Sequence, residues 1–463
     1  MLLVIVFGGI FFTLLMALSG FVLGENRAQD VTRQRTEALS VAEAGLEYYR
    51  WFLSHFPGNT TNGTGHGGPY VSTYLDPEYG TAGTYSLTVV GNSSCGTVQS
   101  IDVTSTGSPN DAPTVSSVLY ARYAAPSVAS YSYIIGSSVW AGADRIINGP
   151  YHSNGGVRMD GTANAPVSSS LSTWNCTGSF GCSPTQGSAP GVVGSGTNQN
   201  LWTYPTPQID FAGISANFAS RKATAVASGL YLARYSSASG SNSHRGYHLI
   251  FNSDSTITVR KVSSVTTLSV TPVNSTNGSS DYTLINNESF YQTLTLPAQC
   301  GLVFVEDNTW VEGTIPSKVT LVAAGVVDTN FKPDIVLHGN ITYAATDGSD
   351  GFTVIGAHDI LIAPDSPSTM TLNGIFVAQS GAFGRNLYNC PGSYEPKGTL
   401  TILGTTVSNL RTGTRWVNGC GGGSDAGYQT RIDAYDRQNS TNPPPFTPTT
   451  STQWQFVDWQ QKQ

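Results

Sequence analysis

The sequence MLLVIVFGGIFFTLLMALSGFVLGENRAQDVTRQRTEALSVAEAGLEYYRWFLSHF, residues 1–56, sets the architecture expected for the whole chain. Its first 23 residues contain no charged side chain. A helix of that length spans about 35 Å, enough to cross a hydrocarbon core of about 30 Å. No proline occurs before Pro57, so nothing in the stretch must end the helix. The sequence therefore predicts one long helix whose first part can lie in a membrane.

The second part of the predicted helix is amphipathic. Charged residues are frequent from Glu25 to Glu37, and small or apolar residues then recur at steps of three and four. That spacing places them on one stripe of a helix, which can cover the apolar face of a sheet. The stripe consists of Ala38, Ala42, Gly45, Leu46, Tyr49, Leu53 and Phe56.

Residues 37–47, EALSVAEAGLE, resemble the N-terminal helix of the larger type IV pilin-like proteins. The resemblance implies a precursor in the cytoplasmic membrane that is extracted into an extracellular filament. The N-terminal helices bundle in the core of such a filament. Its implied partners are copies of the same chain, other pilin-like subunits and the inner-membrane assembly machinery. Ile5 stands where such pilins usually carry a glutamate. The missing basic leader leaves two alternatives, a numbering that begins at the processed end or a chain without a leader.

Two other interpretations of the apolar run stay open. A signal peptide could be cleaved near Ala17-Leu18-Ser19, although the run is long and lacks a basic start. A simple membrane anchor on a surface protein would explain the run equally well.

The composition favours an extracellular, β-rich protein. Charged residues make up 11% of the chain, and 51 of its 463 residues are glycine. The net charge of −7 argues against a nucleic-acid partner. Six cysteines without a Cys-x-x-Cys pair favour disulfides, and of the fifteen pairings we favour Cys95–Cys300, Cys176–Cys182 and Cys390–Cys420. Nine Asn-x-Ser/Thr sequons permit a glycoprotein, although a chain this rich in Asn, Ser and Thr produces sequons by chance, which is the better explanation.

The expected fold class is α+β and mostly β, with four parts. The N-terminal helix takes residues 1–56, and a small antiparallel sheet takes residues 57–126. A large glycine-rich head that resembles a β-solenoid or β-helix takes residues 127–430, and a Pro-rich tail takes residues 431–463. Within the small sheet we expect a loop from 57 to 80 and strands at 84–90, 96–104 and 114–123. A short helix is expected at 210–229. The tail's aromatic residues are expected to cap the head, with a tail that docks to a partner as the alternative.

The solenoid prediction depends on a glycine repeat. Gly339, Gly356 and Gly374 each follow a short apolar run, at spacings of 17 and 18 residues, and Gly404 comes 30 residues later. Short strands at such a period, with glycine at the corners, are typical of stacked rungs.

No residue is assigned to catalysis, to a cofactor or to a metal. The strongest enzyme candidates are His338, His358, Asp359 and Asp365, which a polysaccharide-cleaving β-helix could align across rungs. Counted from the glycine corners, the two histidines have opposite parity and should point to opposite faces. The segment 347–351, DGSDG, is expected to form a turn rather than a calcium site.

The function expected from the sequence is that of a structural subunit, not an enzyme. It would be a major or tip pilin that supports surface adhesion, with cell-surface glycans as further partners. The alternative is a membrane-anchored carbohydrate-binding or polysaccharide-cleaving β-helix protein.

Overall fold

The structure is a computed structural model that describes residues 1–78, 80–211, 217–236, 241–390 and 392–462. It contains one long helix, two short helices and many strands, which confirms the predicted α+β, mostly β class. The helices are α1 (Leu2–His55), α2 (Phe218–Ser228) and α3 (Arg437–Thr441). Single 3-10 turns occur at Val128–Ser130, Gly178–Phe180, Gln199–Leu201 and Ser241–His244.

Local sequence explains where the helices begin and end. α1 ends before Pro57, which disfavours helical dihedral angles in the residue that precedes it. α2 begins after Asn217, whose side chain accepts a hydrogen bond from the Ser220 amide. It lies within the predicted helix at 210–229, of which residues 212–216 are outside the described residues.

The strands of the first half of the chain are mostly short. They are β1 (Tyr70–Asp76), β2 (Gly80–Ser94), β3 (Thr97–Pro109), β4 (Ser117–Ala124), β5 (Tyr133–Ile135), β6 (Val139–Ala141), β7 (Arg145–Asn148), β8 (Tyr151–Ser153), β9 (Val157–Met159), β10 (Thr162–Ala163), β11 (Val167–Ser169), β12 (Thr173–Cys176), β13 (Gln186–Pro190), β14 (Val192–Val193) and β15 (Trp202–Thr203).

The strands of the second half include two long ones that form a hairpin. They are β16 (Leu230–Leu232), β17 (Gly246–Phe251), β18 (Thr256–Val270), β19 (Ser279–Thr295), β20 (Leu302–Val305), β21 (Asn308–Ile315), β22 (Lys318–Ala323), β23 (Ile335–Tyr343), β24 (Gly351–Gly356), β25 (Ile360–Ile362), β26 (Thr369–Ala378), β27 (Phe383–Gly384), β28 (Lys397–Ser408), β29 (Arg415–Gly421), β30 (Ser424–Ala434) and β31 (Gln455–Lys462).

The chain divides into two compact units. The first unit comprises residues 1–93, 98–125 and 454–463, and the second comprises residues 94–97 and 126–453. In the first unit a five-stranded sheet has the order β1-β2-β3-β4-β31. The pairs β1–β2, β3–β4 and β4–β31 are antiparallel. Alternate residues of β4 are buried, as expected for a sheet with one covered face.

Two expectations about this small sheet were wrong. β1 lies inside the stretch 57–80 that was predicted to be a loop, because glycine and proline on both sides disguise a seven-residue strand. The aromatic residues near the end of the chain were expected to cap the head. Instead, Trp454 and Phe456 pack on Tyr123 of the small sheet, and β31 completes the sheet beside β4.

The upper half of α1, residues 38–53, covers one face of the small sheet. Five residues of the predicted stripe are at most 2% exposed, namely Ala38, Ala42, Leu46, Tyr49 and Leu53. Phe56 differs from the prediction, since it is 53% exposed beyond the end of the helix. The buried partners on the sheet include Leu87, Ile101, Val103 and Leu119.

The second unit contains ladders of parallel strands. The longest has the order β16-β20-β22-β24-β26-β28-β5-β8-β11-β15. Residues in register along it form a buried column that includes Leu321, Val354, Phe376, Tyr133 and Tyr151. Neighbouring residues of the same strands, such as Val322 and Ile355, are buried with residues of α2, so both faces of this ladder are covered.

Further parallel ladders complete the second unit. One has the order β17-β21-β23-β25-β27, and another continues β26-β28-β30-β7-β10. A third is β14-β9-β6. The long β18–β19 hairpin is antiparallel and joins the sheet beside β17.

The spacing of the repeated glycines does not match the register in which the parallel strands pair. Gly374 pairs with Gly404, so the 30-residue offset is a true offset between paired parallel strands. Gly356, however, pairs with Ala323 and Ala378, not with Gly339 or Gly374. The spacings of 17 and 18 residues therefore combine strands whose glycines are not in register.

Three disulfides link all six cysteines, and the pairing is the predicted one. They are Cys95–Cys300, Cys176–Cys182 and Cys390–Cys420. Cys95 belongs to the second unit, where its amide also donates to the Gln299 carbonyl.

Two glycines allow α1 to lie very close to the small sheet. A Cβ atom added to Gly107 of β3 would lie 2.3 Å from the Ala42 nitrogen and 2.5 Å from the Ala38 carbonyl oxygen. A Cβ atom added to Gly45 would lie 2.4 Å from Ser105 Oγ. The small residues of the EALSVAEAGLE segment are thus matched by a small residue on the sheet.

We expect Gly107→Ala to separate α1 from the sheet and to destabilise the first unit by roughly 1–3 kcal/mol, because the obstructing atoms are backbone. Hydrogen exchange of the amides between residues 41 and 53 measures this loss of protection. Gly67→Ala is the matched control, since a Cβ atom there meets nothing within 4 Å. Unchanged exchange in the Gly107 variant would contradict this packing.

Candidate assembly surface and polar clusters

The lower part of α1 carries an uncovered apolar surface. Large apolar side chains between Leu3 and Leu23 are 46–75% exposed, and they occur on all sides of the helix. We call residues 3–23 the apolar segment. Its mean hydropathy reaches 2.3, which makes α1 long and apolar enough to cross a membrane, a property that signal sequences near an N-terminus share. The apolar segment is therefore the main candidate for a contact with lipid or with another helix.

The charged part of α1 follows the apolar segment. Arg33 Nη1 lies 2.7 Å from Glu37 Oε1 and 3.0 Å from Asp111 Oδ2. The side chains of all three residues are 41% or more exposed, so these ion pairs add little to stability in water. Their contribution would grow if neighbouring subunits excluded water from them.

Three side chains from adjacent parallel strands form a second candidate site. His248 is on β17, Glu312 on β21 and His338 on β23, and we call them the histidine cluster. His248 Nε2 lies 3.3 Å from Glu312 Oε1, and His338 Nδ1 lies 3.3 Å from Glu312 Oε2. The two imidazole centroids are 4.9 Å apart. His248 is only 3% exposed.

Two further carboxylates hold the outer nitrogens of this cluster. Glu288, on β19, lies 2.8 Å from His248 Nδ1 and also pairs with Arg260. Asp365 Oδ2 lies 3.5 Å from His338 Nε2. The two histidines are thus each placed between two carboxylates.

The electrostatics of the histidine cluster follow from this arrangement. Burial lowers the pKa of His338, but Asp365 and Glu312 outweigh it and raise that pKa to about 10. The neighbouring imidazoles of His248 and His338 hold the pKa of Glu312 well below its ordinary value. Without another cation, Glu312 is therefore an ionised carboxylate and His338 an imidazolium near neutral pH.

A separate polar cluster contains Asp334, His358 and Asp359. His358 Nδ1 is 2.7 Å from Asp334 Oδ1, and this hydrogen bond raises the pKa of His358. Burial and the nearby Asp334 charge raise the pKa of Asp359 to about 6. Asp359 also accepts a hydrogen bond from the Ala382 amide, so it helps to fix the backbone.

The enzyme candidates weighed from the sequence divide between these two clusters. His338 and Asp365 meet in one cluster, and His358 and Asp359 meet in the other. No contact among the described residues joins His338 to His358. The DGSDG segment forms a turn, in which Asp347 Oδ1 accepts from the Ser349 amide and hydroxyl and Asp350 accepts from the Ala345 amide.

Sequence reasoning missed His248 and Glu312. Each is the only histidine or acidic residue of its short strand, and the sequence of a strand does not reveal which strands are its neighbours. His248 precedes Glu312 by 64 residues, with a long hairpin between them. Only the parallel pairing of β17, β21 and β23 brings the three side chains together.

A cleft of about 820 Å³ lies elsewhere in the second unit. Its lining combines two tryptophans with charged groups, namely Trp140, Trp416, Asp144, Arg411 and Arg415. Aromatic faces beside hydrogen-bonding groups are suited to flat polar ligands.

Comparison with known proteins identifies no family. No protein-family model matches the chain. No curated protein matches it. Among solved structures, the chain is similar to the crystal structure of the competence-associated pilin ComZ from Thermus thermophilus. The two share 12% identity over 93% of this chain and 97% of that one, with a TM-score of 0.35. A TM-score this low assigns neither fold nor function.

Glu306 is a buried acidic residue with a structural role. It lies 2.8 Å from Lys222 Nζ, accepts from the Tyr231 hydroxyl, and accepts from the amides of Val326 and Val327. Burial alone raises its pKa, but these hydrogen bonds, first those of Lys222 and Tyr231, outweigh burial and lower it. The ionised form therefore stabilises the second unit.

We expect Glu306→Gln to destabilise the second unit by about 1–3 kcal/mol at neutral pH, because charge-assisted hydrogen bonds are lost. Since the folded pKa is below the ordinary value of 4.5, the contribution is complete above that pH and is lost as the pH falls through the folded pKa. Denaturation midpoints of both proteins at several pH values test this. A difference between the two denaturation midpoints that does not decrease at acidic pH would contradict this expectation.

Proposed function

We propose that this protein is a structural subunit of an extracellular type IV pilus-like filament, as a major or tip subunit. It would be inserted in the cytoplasmic membrane before assembly and would then pack through α1 with copies of itself and with other pilin-like subunits. The observation that carries the proposal is the division of one continuous helix into an exposed apolar segment and an upper half fixed to a sheet.

The apolar segment needs a covering that its own chain does not supply. At 46–75% exposure, its Leu, Ile, Val, Phe and Met side chains would be strongly unfavourable in water. A bilayer can cover them before assembly, and the same segments of neighbouring subunits can cover them in a filament. Apolar residues on all sides of the helix suit a bundle in which each helix is surrounded.

The charged part of α1 favours a filament over a simple anchor. A membrane anchor needs only a span of about 20 residues. Here the helix continues for all 54 of its residues, through the charged stretch and into the EALSVAEAGLE segment. A continuous rod fixes the distance between the apolar segment and the sheet, which a repeating assembly requires and an anchor does not.

We further infer that the parallel ladders of the second unit form a β-solenoid. The support is the stacking of in-register apolar residues, such as Leu321, Val354 and Phe376, along one ladder. Each rung buries its side chains against the next, so such a unit is stabilised mainly by neighbour contacts.

The proposed filament would also support adhesion, with surface glycans as the ligand class. The cleft with Trp140 and Trp416 supports this part of the proposal, because sugars stack on aromatic faces. Weak contacts repeated along a filament add up to firm attachment. We propose no enzymatic activity, since His338 and His358 lie in separate clusters and each is held by carboxylates.

We expect Leu14→Asp to reduce filament yield roughly tenfold or more, because assembly would bury an unpaired charge among apolar helices. Leu14 is 63% exposed, so the change leaves the packing of the upper half of α1 on the small sheet intact. Val226→Asp, at a 61% exposed position of α2, is the matched control. The measurement is sheared surface filament at equal cellular protein level. Normal yield from the Leu14 variant would contradict self-assembly through the apolar segment.

For adhesion, we expect assembled filaments to bind cells or a glycan panel more firmly than detergent-solubilised monomers at the same subunit concentration. Trp416→Ala should weaken filament binding, whereas Phe290→Ala, which removes a 62% exposed ring outside the cleft, should not. Equal binding by filaments of both variants would contradict a role for the cleft.

A further inference from the structure

We propose that His248, Glu312 and His338 bind one divalent transition-metal ion of the Zn²⁺ class. The site lies entirely within the second unit, so the inference does not depend on filament assembly. It would place a stabilising metal between three adjacent parallel strands and the β18–β19 hairpin.

The ligand atoms have the right chemistry and separation. Imidazole nitrogen and carboxylate oxygen bind Zn²⁺ at about 2.0–2.1 Å, and tetrahedral bonds of that length place ligand atoms about 3.3 Å apart. His248 Nε2 and His338 Nδ1 each lie 3.3 Å from a different oxygen of Glu312. One ligand atom from each residue can be chosen so that all three lie within 4.8 Å of one another.

A second, independent observation concerns the nitrogen of His248. Nε2 is buried and has no hydrogen-bond partner of acceptable geometry among the described residues, although it is directed at Glu312. Buried polar atoms without a partner are rare, and each calls for an explanation. A bound cation would use the lone pair of this nitrogen.

The surrounding carboxylates match the usual outer shell of a metal site. Metal-binding histidines usually donate their other ring nitrogen to a carboxylate, which fixes the tautomer and the orientation of the ring. Glu288 accepts from His248 Nδ1 at 2.8 Å, which leaves Nε2 free for a metal. Asp365 stands 3.5 Å from His338 Nε2, in the corresponding position.

The backbone also makes room for this arrangement. The β21–β23 register is irregular between Val311 and Gly313, where Glu312 stands opposite residues 338–340. A Cβ atom added to Gly339 would lie 1.9 Å from Glu312 Oε2. A bulge and a glycine thus seat the carboxylate beside His338, and such bulges often place side chains at functional sites.

The Asp334–His358–Asp359 cluster provides an internal comparison. His358 Nδ1 already has a hydrogen bond to Asp334, and all three residues are partly exposed. This cluster offers no buried nitrogen that lacks a partner, so we assign no metal to it.

The test uses the full, tag-free chain in detergent, freed of metal with a chelator that is then removed. Calorimetric titration with Zn²⁺ should show one saturable equivalent, and Co²⁺ should give the visible absorption of a low-coordinate site. His338→Asn should weaken Zn²⁺ binding by about tenfold or more, since one ligand is lost. His358→Asn, the matched control in the second cluster, should bind as the unmodified chain does.

Two results would overturn the assignment. One is the absence of a saturable equivalent in the unmodified chain, which would leave a metal-free ion pair between imidazolium and carboxylate. The other is undiminished binding by His338→Asn. Should that variant misfold by circular dichroism, Glu312→Gln replaces it, with the same expectation. Zn²⁺ should also raise the melting temperature of the unmodified chain and of His358→Asn, but not that of the ligand variants.

Discussion

The exposed apolar segment of α1 imposes the main physical requirement on this protein. Side chains from Leu3 to Leu23 face outward on every side, and no part of the chain that the structure describes covers them. Burial of such side chains in lipid or against other helices is strongly favourable, whereas exposure to water is not. The segment therefore needs an apolar partner, which we propose is lipid before assembly and its own copies in the filament.

The upper half of the same helix, in contrast, is buried within its own chain. Its small residues let the helix backbone approach the backbone of the small sheet closely. Ala38, Ala42 and Gly45 face Gly107 and its neighbours on β3, while Leu46 and Tyr49 fill the core beyond. β31 then completes the sheet from the other end of the chain, so the first unit depends on both termini.

The sequence predicted those features that depend on local residue patterns. The long helix, its buried stripe and the fold class follow from periodicity and composition, and the favoured disulfide pairing was correct. β1 and β31 were missed because glycine, proline and a polar tail surround them. The glycine spacing gave the wrong register, since paired residues of parallel strands lie 22, 30 or 33 residues apart, with other strands and loops of different length between them. The histidine cluster could not be foreseen for the same reason, because His248, Glu312 and His338 meet only through that pairing.

The proposed filament requires that the apolar segment of α1 is buried among copies of itself. Helical reconstruction of sheared surface filaments by electron cryomicroscopy tests it most directly. We expect a core in which residues 3–23 of neighbouring subunits contact one another and in which α1 continues unbroken to the small sheet. Filaments whose core is built by another chain, or in which residues 3–23 contact no neighbouring helix, would contradict it.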